Sequence, residues 1–246
     1  LDPDGTLVIN ADDPRQNGFP QNSPARTLRY GTPDADAHID GLEDRGLLGS
    51  RFRLVLPDGE AAIDLALAGQ HQAENLLAAA TAAHALGVSV DQIAEAAPAL
   101  EAPEHRGRVL EIGGGITVVD DSYNASPLAV RRLLELLARA PGRKVAVIGE
   151  MYELGELAVE AHRQAGLEAA AAADLLVAVG GADAGAMAAA ARDAGMAEDA
   201  VLQAEGAEEA AMILRRHLRS GDVVLVKGSR GVGLDRTVAA LVGEAA

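Results

Sequence analysis

Two short runs concentrate the side chains that could do chemistry. The first, Asp120-Asp121-Ser122-Tyr123-Asn124-Ala125-Ser126-Pro127, gathers two carboxylates, a hydroxyl, a phenol and an amide before a second hydroxyl and a proline. The second, Lys227-Gly-Ser-Arg-Gly-Val-Gly233, offers two cations, a hydroxyl and three glycines. A set of that composition can hold an anion through side chains and backbone amides. Each run follows an apolar stretch that predicts a strand, Gly115-Ile-Thr-Val-Val119 and Asp222-Val-Val-Leu-Val226. Polar groups at the carboxyl ends of strands in an alternating β/α pattern are where open parallel sheets bind ligands. Plainer readings stand beside these. Asn124 or Ser126 can cap a helix that Pro127 opens, although a cap needs one such residue. The glycine-rich run can be a tight turn with a solvated Arg230.

Lysine usage singles out one cation. Only Lys144 and Lys227 occur among 21 Lys and Arg residues. A chain so biased toward arginine keeps a lysine where a compact ammonium is needed, because the two cations are not equivalent. Lys144 opens a strand after Pro141-Gly-Arg and reads as ordinary; Lys227 ends the most apolar strand.

The elements that must position these runs follow from periodicity. Strands at 116–121, 144–149, 174–179 and 222–226, with a weaker one at 200–203, alternate with helices at 128–139, 155–172, 182–194, 207–219 and from about 233. That alternation predicts a parallel, doubly wound α/β sheet. Upstream, a strand at 6–10, a hairpin around Pro57-Asp-Gly-Glu60, and helices at 72–86 and 90–100 belong to a separate region. Residues 15–50 read mostly as loop with short strands. The charged segment Glu101-Ala-Pro-Glu-His-Arg-Gly-Arg108 reads as a linker.

Composition bounds the rest. Hydrophobic residues make up 49% of 246 residues but aromatics only 2%, so the cores must be built from Ala, Leu, Val and Ile. A net charge of -16 argues against a broad nucleic-acid or anionic-membrane surface. The chain has no cysteine, which excludes disulfides and thiolate chemistry. The six histidines lack metal-ligand spacing, so no metal site is expected from these residues. No apolar run reaches the length of a membrane span, and a soluble, cytoplasmic protein is expected. The opening Leu1-Asp-Pro-Asp-Gly5 reads as a chain entered mid-domain.

The motif D-D-S-Y-N-A-S-P resembles the D-D-S-Y-N-A-N-P turn of the Mur ligases, the ATP-dependent amide ligases of peptidoglycan synthesis. Within that family the S-Y-N form is similar to the branch that adds D-alanyl-D-alanine to UDP-N-acetylmuramoyl-tripeptide. Four further stretches resemble family motifs. These are Asn10-Ala-Asp-Asp-Pro14, Gly69-Gln-His-Gln-Ala-Glu-Asn75, Glu150-Met-Tyr-Glu-Leu-Gly155 with His162, and Val226-Lys-Gly-Ser-Arg-Gly231. Gln72 stands where the family has Asn, and Glu150 where it has Asp.

The resemblance implies a partial central ATP-binding domain at 1–103 and a Rossmann-like C-terminal ligase domain at 104–246. It implies catalytic roles for Lys227 and Arg230. ATP would be bound by His71, Gln72, Asn75, Arg106 and Asp121, with Arg108 as the competing alignment for Arg106. The dipeptide would meet Tyr123, Asn124, Ser126 and Ser229. From the residues alone, the 69–75 stretch is equally a plain helix N-terminus. The implied cofactors are ATP and Mg²⁺, with magnesium ligands mainly in an upstream part. No Walker A loop occurs in the 246 residues, and the chain alone is expected to be inactive. The implied partners are the UDP-linked tripeptide and D-alanyl-D-alanine, with a monomer, no nucleic acid and no membrane insertion. Another Mur-type ligase, a folylpolyglutamate-type ligase, and a non-catalytic nucleotide-binding module are the alternatives.

Overall fold

The computed structural model describes residues 1–243, which form two compact units, Leu1–Glu101 and a second from Ala102 onward. In the first, strands β1 (Thr6–Asn10), β2 (Arg26–Gly31), β3 (Ala37–Asp44), β4 (Ser50–Leu56) and β5 (Gly59–Leu65) form one sheet in that order. The β1–β2 and β2–β3 pairs are parallel, whereas β3–β4 and β4–β5 are antiparallel. Along β4, Ser50, Phe52, Leu54 and Leu56 are buried while Arg51 and Arg53 face solvent, the period-two pattern of a half-buried strand. Helix α1 (Gln70–Ala85) buries Ala73, Leu76, Leu77 and Ala80, spaced to share one face. Helix α2 (Val90–Ala96) opens on a capping box between Ser89 and Gln92. Strands β2 and β3 lie inside the stretch expected to be mostly loop with short strands, and they take up more of it than expected. Their Asp, Gly and Arg residues mask the few buried positions, Leu28 and Ala37 among them.

The second unit runs β6 (Arg108–Ile112), β7 (Ile116–Asp121), α3 (Pro127–Arg139), β8 (Lys144–Gly149), α4 (Ala158–Ala172), β9 (Leu175–Val179) and α5 (Ala182–Asp193). It continues with β10 (Val201–Ala204), α6 (Ala207–His217), β11 (Val223–Lys227) and α7 (Asp235–Gly243). Its six strands lie in the order β10-β9-β8-β11-β7-β6. All neighbours are parallel except β6, which pairs antiparallel with β7 at the edge. The four strongest strands are therefore parallel, as expected, while the supposed linker gives its last residue, Arg108, to an edge strand. Edge strands tolerate charge, and that hid β6 from pattern reading.

One face of this sheet, carrying Val118, Val145, Val147, Val177, Val224 and Val226, packs with α6 and α7 residues such as Leu214, Val238 and Leu241. Alternation turns Val119, Ala146, Ile148, Leu176 and Leu225, all buried, to the opposite face, and α3 packs on β8 and β11. The scarcity of aromatics is answered by close approach. On α4, a Cβ at Gly166 would lie 2.1 Å from the Met187 carbonyl of α5. Helices this thin can pack nearly backbone to backbone.

A paired substitution tests that packing. Gly166→Ala is expected to destabilise the protein by about 1–3 kcal/mol through overpacking. Gly185→Ala, on α5 with open space around it, is expected to stabilise it by about 0.5–1 kcal/mol through helix propensity. Denaturant unfolding of both variants checks the signs.

Candidate active site

Strand register builds the centre of the site. Asp121 and Lys227 end the adjacent parallel strands β7 and β11 and are direct register partners. Register partners on parallel strands project to the same face. The Lys227 ammonium is thereby delivered to the Asp121 carboxylate, with which it forms an ion pair. It also donates to the Asn124 carbonyl at 2.8 Å. Lys227 is 2% exposed, so a short, compact cation is enclosed with its acceptors already in place. The same strand ends approach β8 closely: a Cβ at Gly228 would lie 3.2 Å from the Gly149 Cα, so glycine at both positions keeps the turns in contact.

Alternation sends Asp120, one residue earlier, the other way. It is buried and accepts from the Ser122 hydroxyl at 2.6 Å and the Ser122 amide at 3.2 Å. Its second oxygen lies 2.8 Å from Nδ1 of His105. Adjacent carboxylates thus serve separate partners, Asp120 holding the turn and Asp121 the cation.

Two and three residues further along the same two loops, Tyr123 and Arg230 join Arg106 in a cationic rim. The guanidinium of Arg106 sits 4.1 Å from the Tyr123 ring centroid and that of Arg230 at 5.3 Å. Arg230 Nη1 also donates to the Tyr123 phenol oxygen at 3.4 Å. Hydrogen bonding from Arg106 first, and from Arg230 second, holds the Tyr123 phenol below the ordinary tyrosine range. Tyr123, Arg106 and Arg230 are all exposed, so the rim is open to a ligand.

The other anticipated residues fall into place by their bonds. Asn124 Oδ1 accepts from the Ala125 amide at 2.9 Å. Ser126 is the N-cap of α3, accepting from the Ala129 amide at 3.4 Å. Ser229 is buried; its hydroxyl accepts from the Tyr152 amide at 2.9 Å and its own amide donates to the Glu150 carbonyl at 3.0 Å. Arg108 is exposed at the start of β6. In the first unit, His71 and Gln72 lie half-buried in the opening turn of α1, and Asn75 Nδ2 donates to Gln72 Oε1 at 3.1 Å. The Asn10–Pro14 turn is structural: Asn10 Oδ1 accepts from the Asp12 amide at 2.9 Å and Asp13 caps the turn that follows.

Supporting residues emerge that the sequence did not assign. Glu150 Oε1 accepts from the amides of Gly181, Asp183 and Ala184 at 2.9, 3.2 and 3.3 Å. It caps α5, whose own N-cap, Gly181, has no side chain to do so. His162 is fully buried; Nε2 accepts from the Met151 amide at 2.8 Å and Nδ1 donates to the Ala158 carbonyl at 2.7 Å. The Glu150–Gly155 stretch is accordingly a brace behind the site. His105 is a third such residue, because no local pattern links it to Asp120, 15 residues further along the chain.

Comparison with known proteins follows this geometry closely. The family model for the Mur ligase glutamate ligase domain matches residues 105–230, and that for the Mur ligase middle domain matches residues 1–83. The UDP-N-acetylmuramoyl-tripeptide–D-alanyl-D-alanine ligase of Mycobacterium tuberculosis is 38% identical over 98% of this chain and 51% of its own length. A crystal structure of MurF from Acinetobacter baumannii matches with a TM-score of 0.83 and 25% identity, over 97% of this chain and 52% of that one. The MurF ligase from Thermotoga maritima in complex with ADP matches with a TM-score of 0.80 and 27% identity, over 99% of this chain and 54% of that one. The chain spans about half the length of these relatives. On the two family models and the strand-end motifs together, this chain belongs to the Mur ligase family.

Proposed function

We propose that this chain carries part of the active site of an ATP-dependent amide ligase that joins D-alanyl-D-alanine to UDP-N-acetylmuramoyl-tripeptide in peptidoglycan precursor synthesis. The observation that carries the reading is the enclosed Lys227 ammonium at strand ends whose following residues, Tyr123 and Arg230, form an open rim with Arg106. The 38% identity to a ligase of that name supports the choice within the family.

In such a reaction the tripeptide carboxylate takes the γ-phosphoryl group of ATP. The dipeptide amine then adds to the acyl phosphate, and phosphate leaves as the amide forms. Negative charge grows on oxygens at both stages, and fixed cations that need no reorganisation stabilise it. Lys227 and Arg230 take that role in the proposal. Asp121 keeps one oxygen on Lys227 and offers the other to a ribose hydroxyl. Arg106 lies over Tyr123, and the N–H groups it does not turn to the phenol are left for phosphate oxygens. His71, Gln72 and Asn75 supply polar groups for adenine. Tyr123, the Asn124 amide, and the hydroxyl protons of Ser126 and Ser229 are assigned to the dipeptide. Among the described residues no group of three or more His, Asp or Glu side chains is arranged to hold a metal ion; the proposal places the magnesium that accompanies ATP mainly on residues of the part of the ligase that this chain does not cover.

The proposed setting is cytoplasmic, as a monomer, in keeping with the UDP-linked substrate named for the relatives. No described helix is long and apolar enough to cross a membrane.

The full-length protein is expected to form the tripeptide–dipeptide amide with release of ADP when given D-alanyl-D-alanine. Product formation only with a single amino acid would refute the substrate assignment. In the same assay Lys227→Arg is expected to lower kcat/KM by more than about tenfold, because a planar fork cannot replace a buried ammonium. Lys144→Arg is expected to stay within about twofold of the parent. Equal losses would remove the special role of Lys227.

A further inference from the structure

Residues 105–107 are fastened to the 120–123 turn at four points. His105 Nδ1 lies 2.8 Å from Asp120 Oδ2. The His105 carbonyl accepts from the Tyr123 amide at 3.0 Å, and the Gly107 amide donates to the Asp120 carbonyl at 2.9 Å. Between these bonds, Arg106 lies over Tyr123. His105 holds a left-handed backbone, φ 60°, one of two non-glycine residues with positive φ among the described residues. That conformation is unfavourable for a residue with a Cβ, so something must hold it. The buried Asp120 carboxylate, itself fixed by Ser122, is placed to do so.

We propose that His105 is a positioning residue: clasped by Asp120 in a left-handed turn, it aims the next side chain, Arg106, across the Tyr123 ring. The clasp makes Arg106 a fixed member of the strand-end site instead of a swinging linker charge. Its value to catalysis rests on the phosphate role proposed above for Arg106; its geometry does not.

The titration of Tyr123 reads the clasp directly, because the Arg106 contact is the first cause of its lowered pKa. The charged groups facing that phenol are Arg106 and Arg230. Of the other two tyrosines, Tyr30 is pushed up by burial, and Tyr123→Phe identifies which component belongs to Tyr123. In this chain, ultraviolet titration of Arg106→Ala is expected to move the Tyr123 pKa up toward the ordinary value of about 10. His105→Gly keeps the left-handed turn free of strain but removes the clasp, and the same upward move is expected. His105→Gly added to Arg106→Ala is expected to cause no further rise. His105→Asn, which tolerates positive φ and retains an N–H donor, should restore part of the shift.

A Tyr123 titration unchanged by His105→Gly, or unchanged by Arg106→Ala, overturns the proposal. In the full-length ligase, His105→Gly is expected to raise the KM for ATP about tenfold while the KM for D-alanyl-D-alanine stays within about twofold. If the titration shifts and the KM for ATP does not, the clasp stands and the phosphate role of Arg106 falls.

Discussion

The ion pair between Lys227 and Asp121 is the constraint around which the second unit is arranged. A lysine that is 2% exposed loses almost all of its hydration, and its carboxylate partner must make good the loss. Removing one member of such a pair typically costs about 3–5 kcal/mol, whereas two apolar side chains of similar shape would often be neutral or better. Stability alone therefore gives no reason to place a cation there. The pair is better understood as charge fixed in advance at a strand end, where a reacting anion can meet it.

Much else follows from holding those two side chains together. Register between β7 and β11 requires parallel pairing, and parallel pairing requires helical crossovers on the faces of the sheet. Gly149 and Gly228 let the ends of β8 and β11 close up behind Lys227. Ser229 ties its loop to the Glu150 carbonyl and the Tyr152 amide, while the Glu150 side chain reaches α5. Four strand ends are joined by this chain of bonds, and the exposed rim of Arg106, Tyr123 and Arg230 rests on it. The buried His162 serves the same brace through Met151.

The sequence showed the parts of this arrangement that depend on local pattern. Continuous apolar runs ending in polar clusters marked β7 and β11, and the strand–helix alternation implied that they lie in one parallel sheet. Lysine scarcity drew attention to Lys227. What escaped notice depends on distant partners or on backbone conformation. The edge strand β6 begins in a charged segment, and its exposed Arg108, Val109 and Glu111 give no clear alternation. Glu150 caps a helix that begins 32 residues further along the chain, at Ala182, a link that no local motif expresses. The left-handed turn at His105 could be expected of glycine, not of histidine. Ser126 carried both readings from the start, and its N-cap bond uses an oxygen lone pair but leaves its proton available.

With only two lysines in the chain, competitive amine labelling of the folded protein, resolved by peptide mass spectrometry, examines the central pair most directly. Lys144 is partly exposed, and its ammonium donates to the Gly142 carbonyl at 3.3 Å. Lys144 is expected to be modified readily while Lys227 is protected, and Asp121→Asn is expected to expose Lys227 to the reagent. Equal labelling of both lysines in the parent protein would contradict an enclosed, paired Lys227 and the site built upon it.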